Sequence, residues 1–173
     1  MSHAFAQEPQ SSTEAVVCDF NAPEPLLLAS AYGDYRFTAK PNNGSTESVA
    51  LARGMRLEIR QSSCVDSVDQ EIILTVPHAA HDIVDMKFWA DFMQRELARL
   101  KTRADDAGTV KSFAEFLAQA PAHDVHNGKV LWCRDGSAAP DEECGWSTGG
   151  VYLLEIKRSG KAVVIDAAQS TSQ

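Results

Sequence analysis

The apolar residues of this chain change their spacing twice, and the order of those periods limits the folds open to it. Tyr35-Arg36-Phe37-Thr38-Ala39-Lys40 alternates apolar and polar side chains, the period of a strand with one buried face. Pro41-Asn42-Asn43-Gly44 is turn chemistry. Val49, Leu51, Met55, Leu57 and Ile59 share one parity, against Arg56, Glu58 and Arg60 on the other. This predicts one strand from Val49 to Arg60, with a bulge or bend at Arg53-Gly54. Ile72, Leu74 and Val76 predict a further strand, which Pro77 ends.

The spacing then turns helical. Met86, Trp89, Met93, Leu97 and Leu100 recur three or four apart, with Phe88 and Phe92 beside them. A helix is predicted over 85–102, with Asp85 as its N-cap and Lys101 and Arg103 at the negative end of its dipole. A second is predicted over 110–120, capped by Thr109, with Val110, Phe113, Phe116 and Leu117 inward and Pro121 as its stop. Residues 104–108 join the two as a helical hairpin. Strand spacing returns at 130–133, 151–157 and 162–166, with Arg158-Ser159-Gly160-Lys161 as a hairpin turn.

Strands joined by turns, and not by alternating helices, pair antiparallel. The expected class is therefore α+β, a mainly antiparallel sheet with the two-helix hairpin packed on one face. Residues 1–15 are polar and aperiodic and read as a tail, 16–168 as a single domain, and 169–173 as a short second tail. A chain of 173 residues can bury a core without covalent staples.

Cys18, Cys64, Cys133 and Cys144 are even in number, widely spaced and free of any C-x-x-C pair. Disulfides are the natural reading, and Cys18–Cys64 and Cys133–Cys144 the expected pairs, since the first two flank the early strands and the last two flank one polar loop. Ala4-Phe5-Ala6 before Gln7 has the small-x-small form that ends a signal peptide. Together these point to an oxidising compartment, periplasmic or secreted.

With 24 acidic residues against 16 basic ones and a net charge of -8, nucleic acid is an unfavourable partner and a basic protein a favourable one. No apolar run approaches the ~20 residues of a membrane-spanning helix.

Three groups of residues bear on chemistry. His78 and His81, with His123 and His126, form two pairs that bracket the helices and offer nitrogen ligands for a metal carrier or metal-dependent hydrolase. They lack the H-E-x-x-H pattern with its glutamate base, and histidines beside Asp and Asn at helix ends are ordinarily loop residues or caps. No G-x-S-x-G elbow or phosphate-binding glycine loop is present, so no catalytic residue and no cofactor is assigned. Asn43-Gly44-Ser45 matches a glycosylation acceptor, a motif frequent by chance.

The third group is the loop between Cys133 and Cys144, acidic and followed by Trp146, with Trp132 before it. A stapled base limits the entropy lost on binding, and Asp135, Asp141, Glu142, Glu143 and Trp146 are the expected contacts to a basic partner. The expected function is a non-catalytic inhibitor or immunity-type protein that neutralises a basic, cell-wall-directed enzyme or toxin. The alternatives are the metal protein above and a structural component of the cell envelope that pairs through a sheet edge.

Overall fold

The computed structural model describes residues 23–41, 43–64, 67–103, 107–122, 128–135, 137, 144 and 150–172. Among the described residues, seven strands form one sheet: β1 (Arg36–Lys40), β2 (Gly44–Ala50), β3 (Arg56–Cys64), β4 (Ser67–Val76), β5 (Lys129–Cys133), β6 (Val151–Ser159) and β7 (Ala162–Ser172). Their order is β1-β2-β3-β4-β7-β6-β5, and every neighbouring pair is antiparallel. Between β4 and β5 run two helices, α1 (Met86–Leu97) and α2 (Ala107–Gln119). The α+β class and the helix pair agree with the sequence reading. No helix among the described residues is long and apolar enough to cross a membrane.

Some boundaries differ, each for a local reason. The expected strand over 49–60 is two strands. Arg53 (φ 62°) and Gly54 (φ 71°) are both left-handed, so the chain reverses there instead of bulging, and Leu51 N–H donates to the Met55 carbonyl at 2.8 Å. A reversal returns equal parity to one face, so Val49 pairs with Leu57 and the alternation looks continuous.

Helix α1 begins after Asp85 as expected, with the Asp85 carboxylate accepting the Phe88 N–H at 3.0 Å. It ends at Leu97 because the following residues leave the helix to pair with 26–28: Leu28 N–H donates to Lys101 at 2.8 Å, and Arg103 N–H to Leu26 at 3.0 Å. Helix α2 starts at Ala107, so Thr109 lies in its first turn and is not its cap. Residues 169–172, read as a tail, are the last rungs of β7 and pair with 67–70. Their polar composition carries no alternation to show it.

Continuous register sorts side chains by parity. On the inner face, Val49, Leu57, Leu74, Ile165 and Ile156 form one row; Glu47, Ile59, Ile72, Ala167, Leu154 and Val130 form the next. A third row runs Ser45, Gln61, Gln70, Gln169, Tyr152, Trp132. The helices cover this face with Trp89, Met93 and Leu97 of α1 and Phe113, Phe116 and Leu117 of α2, all essentially buried. The three glutamines of the third row are linked: Gln169 donates to Gln70, Gln70 to Gln61 at 3.3 Å, and Gln61 to the Glu24 carbonyl at 3.1 Å, whereas the buried Ser45 hydroxyl has no partner among the described residues.

One carboxylate is buried in this apolar layer. Glu47, 1% exposed, accepts the backbone N–H groups of Leu26 and Leu27 at 3.0 and 2.9 Å. It thereby fixes a strap, Glu24–Leu28, whose other edge bonds to residues 101–103 and whose Leu26 and Leu27 fill the core. Burial and this carboxylate together raise the ionisation of the Tyr35 hydroxyl above its ordinary range. Glu47→Ala leaves two buried N–H donors without an acceptor. It is expected to lower the unfolding free energy by about 2–4 kcal/mol in urea denaturation; a change under ~0.5 kcal/mol would remove Glu47 as the strap's anchor.

Candidate functional site

The opposite face of the sheet carries a groove. Two outer-face rows form it. The first runs Thr46, Arg60, Glu71, Ala168, Leu153, Leu131, and the second Gly44, Ser62, Asp69, Ser170, Val151, Cys133. The groove has a volume of about 500 Å³. Its β5–β6–β7 side is aliphatic, through Leu131, Val151, Leu153 and Ala168. Its β1–β4 side carries Lys40, Arg60, Asp69 and Glu71.

The stapled loop springs from the aliphatic end. Cys133 pairs across the strands with Val151 and is bonded to Cys144, with Cα atoms 5.3 Å apart. Cys64 is also disulfide-bonded; Cys18, its expected partner, lies outside the described residues. At the loop root, Cys133 N–H donates to Ser137 and Arg134 N–H to Gly150, each at 3.0 Å. Asp135 Oδ1 accepts the Ser137 hydroxyl at 2.7 Å and its N–H at 2.9 Å, and these bonds hold the carboxyl below its ordinary range. Asp135 is thus an exposed, ionised carboxylate fixed at the loop's start. Gly150 closes the root with φ 127°, where an added Cβ would fall 2.0 Å from the Ser170 carbonyl oxygen.

Asp141, Glu142, Glu143 and Trp146, the other expected contacts, lie outside the described residues, as does Asn42 beside the glycosylation motif. Trp132 does not flank the loop as a surface anchor. It is fully buried on the inner face, with its ring centre 5.7 Å from Phe116 and 5.6 Å from Tyr152.

His78 and His81 sit at the other end of the sheet, after β4. His81 Nε2 lies 2.9 Å from Asp85 Oδ2, its ring stacks on Phe88 at 3.6 Å, and its carbonyl accepts from Arg158 at 3.3 Å. These contacts make it part of the α1 N-terminus. His78 occupies a left-handed turn, φ 52°. His123 and His126 lie outside the described residues, and no group of three or more His, Cys, Asp or Glu able to hold a metal occurs among the described residues.

Sequence reasoning missed a charged strip beside the groove. The next outer-face row contains Glu58, Ile73, Asp166 and Glu155. Arg60 bridges Glu58 at 2.7 Å and Glu71 at 3.0 Å, and Lys157 pairs with Glu155 at 3.1 Å. Asp166 is 9% exposed, and its buried Oδ1 has no hydrogen-bond donor among the described residues. Burial first, then the neighbouring Glu71, pushes this carboxyl up to about 6, against a smaller opposing pull from Lys157. The alternation in Val163-Val164-Ile165-Asp166-Ala167 places Asp166 opposite the core residues, but only register shows that Glu71 joins it.

No protein-family model, no curated protein and no solved structure matches this chain.

Replacing both Cys133 and Cys144 with Ala releases an 11-residue separation, and the chain-entropy relation gives a loss of about 3 kcal/mol. Urea unfolding is expected to show it, with loop cleavage by a protease rising in parallel. An unchanged midpoint would mean that the bond constrains neither state. His81→Ala is expected to lower the melting temperature by about 3 °C, equally with and without chelator; stabilisation of the parent protein by added zinc would instead restore the metal reading.

Proposed function

We propose that this chain is a non-catalytic binding protein of an oxidising compartment, periplasmic or secreted. In this reading it is an inhibitor or immunity-type protein that docks on a basic enzyme or toxin, with cell-wall-directed enzymes as the expected class. The observation that carries the reading is the meeting of two features at one place. The disulfide-rooted acidic loop starts at Cys133, and the groove begins beside it at Leu131 and Val151.

Together they offer what a docking surface needs: an aliphatic floor that gains from losing water, fixed carboxylates around it, and a loop already restrained before contact. The net charge of -8 steers a basic partner toward this surface over a Debye length of ~8–10 Å. Asp135 supplies one fixed charge at the loop root. Asp141, Glu142, Glu143 and Trp146 are assigned as further contacts on the sequence alone.

An envelope scaffold acting through a sheet edge is less favoured. Edge strand β1 ends in Arg36 and Lys40, and basic residues on an edge oppose pairing with another strand.

The test begins with capture from the envelope fraction of the native organism and identification of the bound protein. A basic protein should be retained at low salt and released as salt rises. Reversing charge at Asp141, Glu142 and Glu143 to Lys is expected to slow association roughly tenfold or more, with a smaller effect on dissociation. Association that is insensitive both to salt and to this variant would reject electrostatic docking through the loop.

A further inference from the structure

The charged strip beside the groove holds more carboxylates than cations. Of the four carboxylates Glu58, Glu71, Glu155 and Asp166, Arg60 pairs with Glu58 and Glu71, Lys157 pairs with Glu155, and Lys129 is the register partner of Glu155 on β5, so none of these pairings includes Asp166. Asp166 faces Glu155 directly across β6 and has Glu71 as its diagonal neighbour on β4. Like charges so placed repel. Glu71 is within hydrogen-bonding reach of Asp166, yet two ionised carboxylates cannot bond, since neither donates. The buried, unsatisfied Oδ1 of Asp166 shows the same deficit from the other side. A single proton between the two carboxyls resolves both, providing the donor and removing one charge.

We propose that Asp166 and Glu71 share one proton in the folded protein, and that its loss as pH rises charges the groove wall and strengthens docking of a basic partner. The second half rests on reading the groove as the docking surface. Glu71 lines the groove, so a charge gained by the pair is presented there. The position of the Asp166 carboxyl, raised from 3.8 to about 6, agrees with the geometry.

The sign follows from where the proton is held. Between about 4 and 6 the folded protein keeps a proton that the unfolded chain has lost. Asp166 therefore destabilises the fold progressively as pH climbs through that window, fully above it and not at all below it. A bound cation favours the ionised pair, so binding moves the other way and tightens with rising pH.

Carboxyl carbon NMR of the free protein tests the first half without any partner. The Asp166 resonance is expected to titrate near 6, and to move lower in Glu71→Gln, whose amide can donate to the carboxylate. In urea denaturation, the unfolding constant of the parent relative to Asp166→Asn is expected to grow by about tenfold between about pH 5 and pH 7.5, less than the full difference because about half of the window from 3.8 to about 6 lies below pH 5. Titration of Asp166 near 4, or a pH profile identical in the two proteins, overturns the shared proton.

For the second half, a hexa-arginine peptide serves as probe. It is expected to bind roughly threefold more tightly at about pH 7.5 than at about pH 5, with that difference lost in Asp166→Asn. Equal binding at both pH values overturns the coupling while the NMR result still decides the proton. No binding at either pH overturns the docking reading, and the coupling with it.

Discussion

Every structural property described above depends on one constraint: seven strands held antiparallel in unbroken register, so that parity alone decides which face a side chain serves. Odd positions in β3 and in β7, such as Leu57, Ile59, Val163 and Ile165, are inside under the helices. Their even neighbours Arg60, Asp166 and Ala168 look the other way. A shift by one residue in any strand would exchange the faces, burying charge and exposing the core. The hydrophobic layer against α1 and α2 thus enforces the register, and the register assembles the groove on the far side.

The two faces handle polar groups differently. Inside, the carboxylate and the amides that interrupt the apolar rows are hydrogen-bonded. Glu47 holds the Glu24–Leu28 strap, and Gln61, Gln70 and Gln169 form a chain of amides across three strands, joined by Ser112 of α2 at 3.4 Å. Outside, aliphatic residues are left half-covered beside ion pairs. This sheet face, with a covalently rooted loop at one end, is the surface that the proposed docking uses. The histidines near α1 are used locally, with His81 locked between Asp85 and Phe88.

Much of the fold was legible in the sequence. The strand-helix-strand order, the Asp85 cap, the inward faces of both helices and the Cys133–Cys144 pair follow from periodicity and spacing. What escaped has physical causes. Strand β2 is Gly-Ser-Thr-Glu-Ser-Val-Ala, and its buried positions include Ser45, Ser48 and Glu47, so no apolar alternation marks it. Residues 169–172 pair with 67–70 but are polar on both faces, so no apolar alternation marks them as strand. Trp132 was assigned to the loop by its nearness in sequence, whereas its parity sends it inward. The groove draws Leu131, Leu153 and Ala168 from three strands, and the Glu71–Asp166 pair joins residues far apart in the chain. Only register brings these together, and register is not written in any short segment.

The claim that the outer face is the docking surface is tested most directly by hydrogen–deuterium exchange on the isolated protein and on its complex with the captured partner. Protection on binding is expected in β5 and the start of β6, around Leu131 to Leu153, and in β7 near Ala168, with α1 and α2 unchanged. Protection confined to the helices, with the groove strands exchanging as in the free protein, would contradict it.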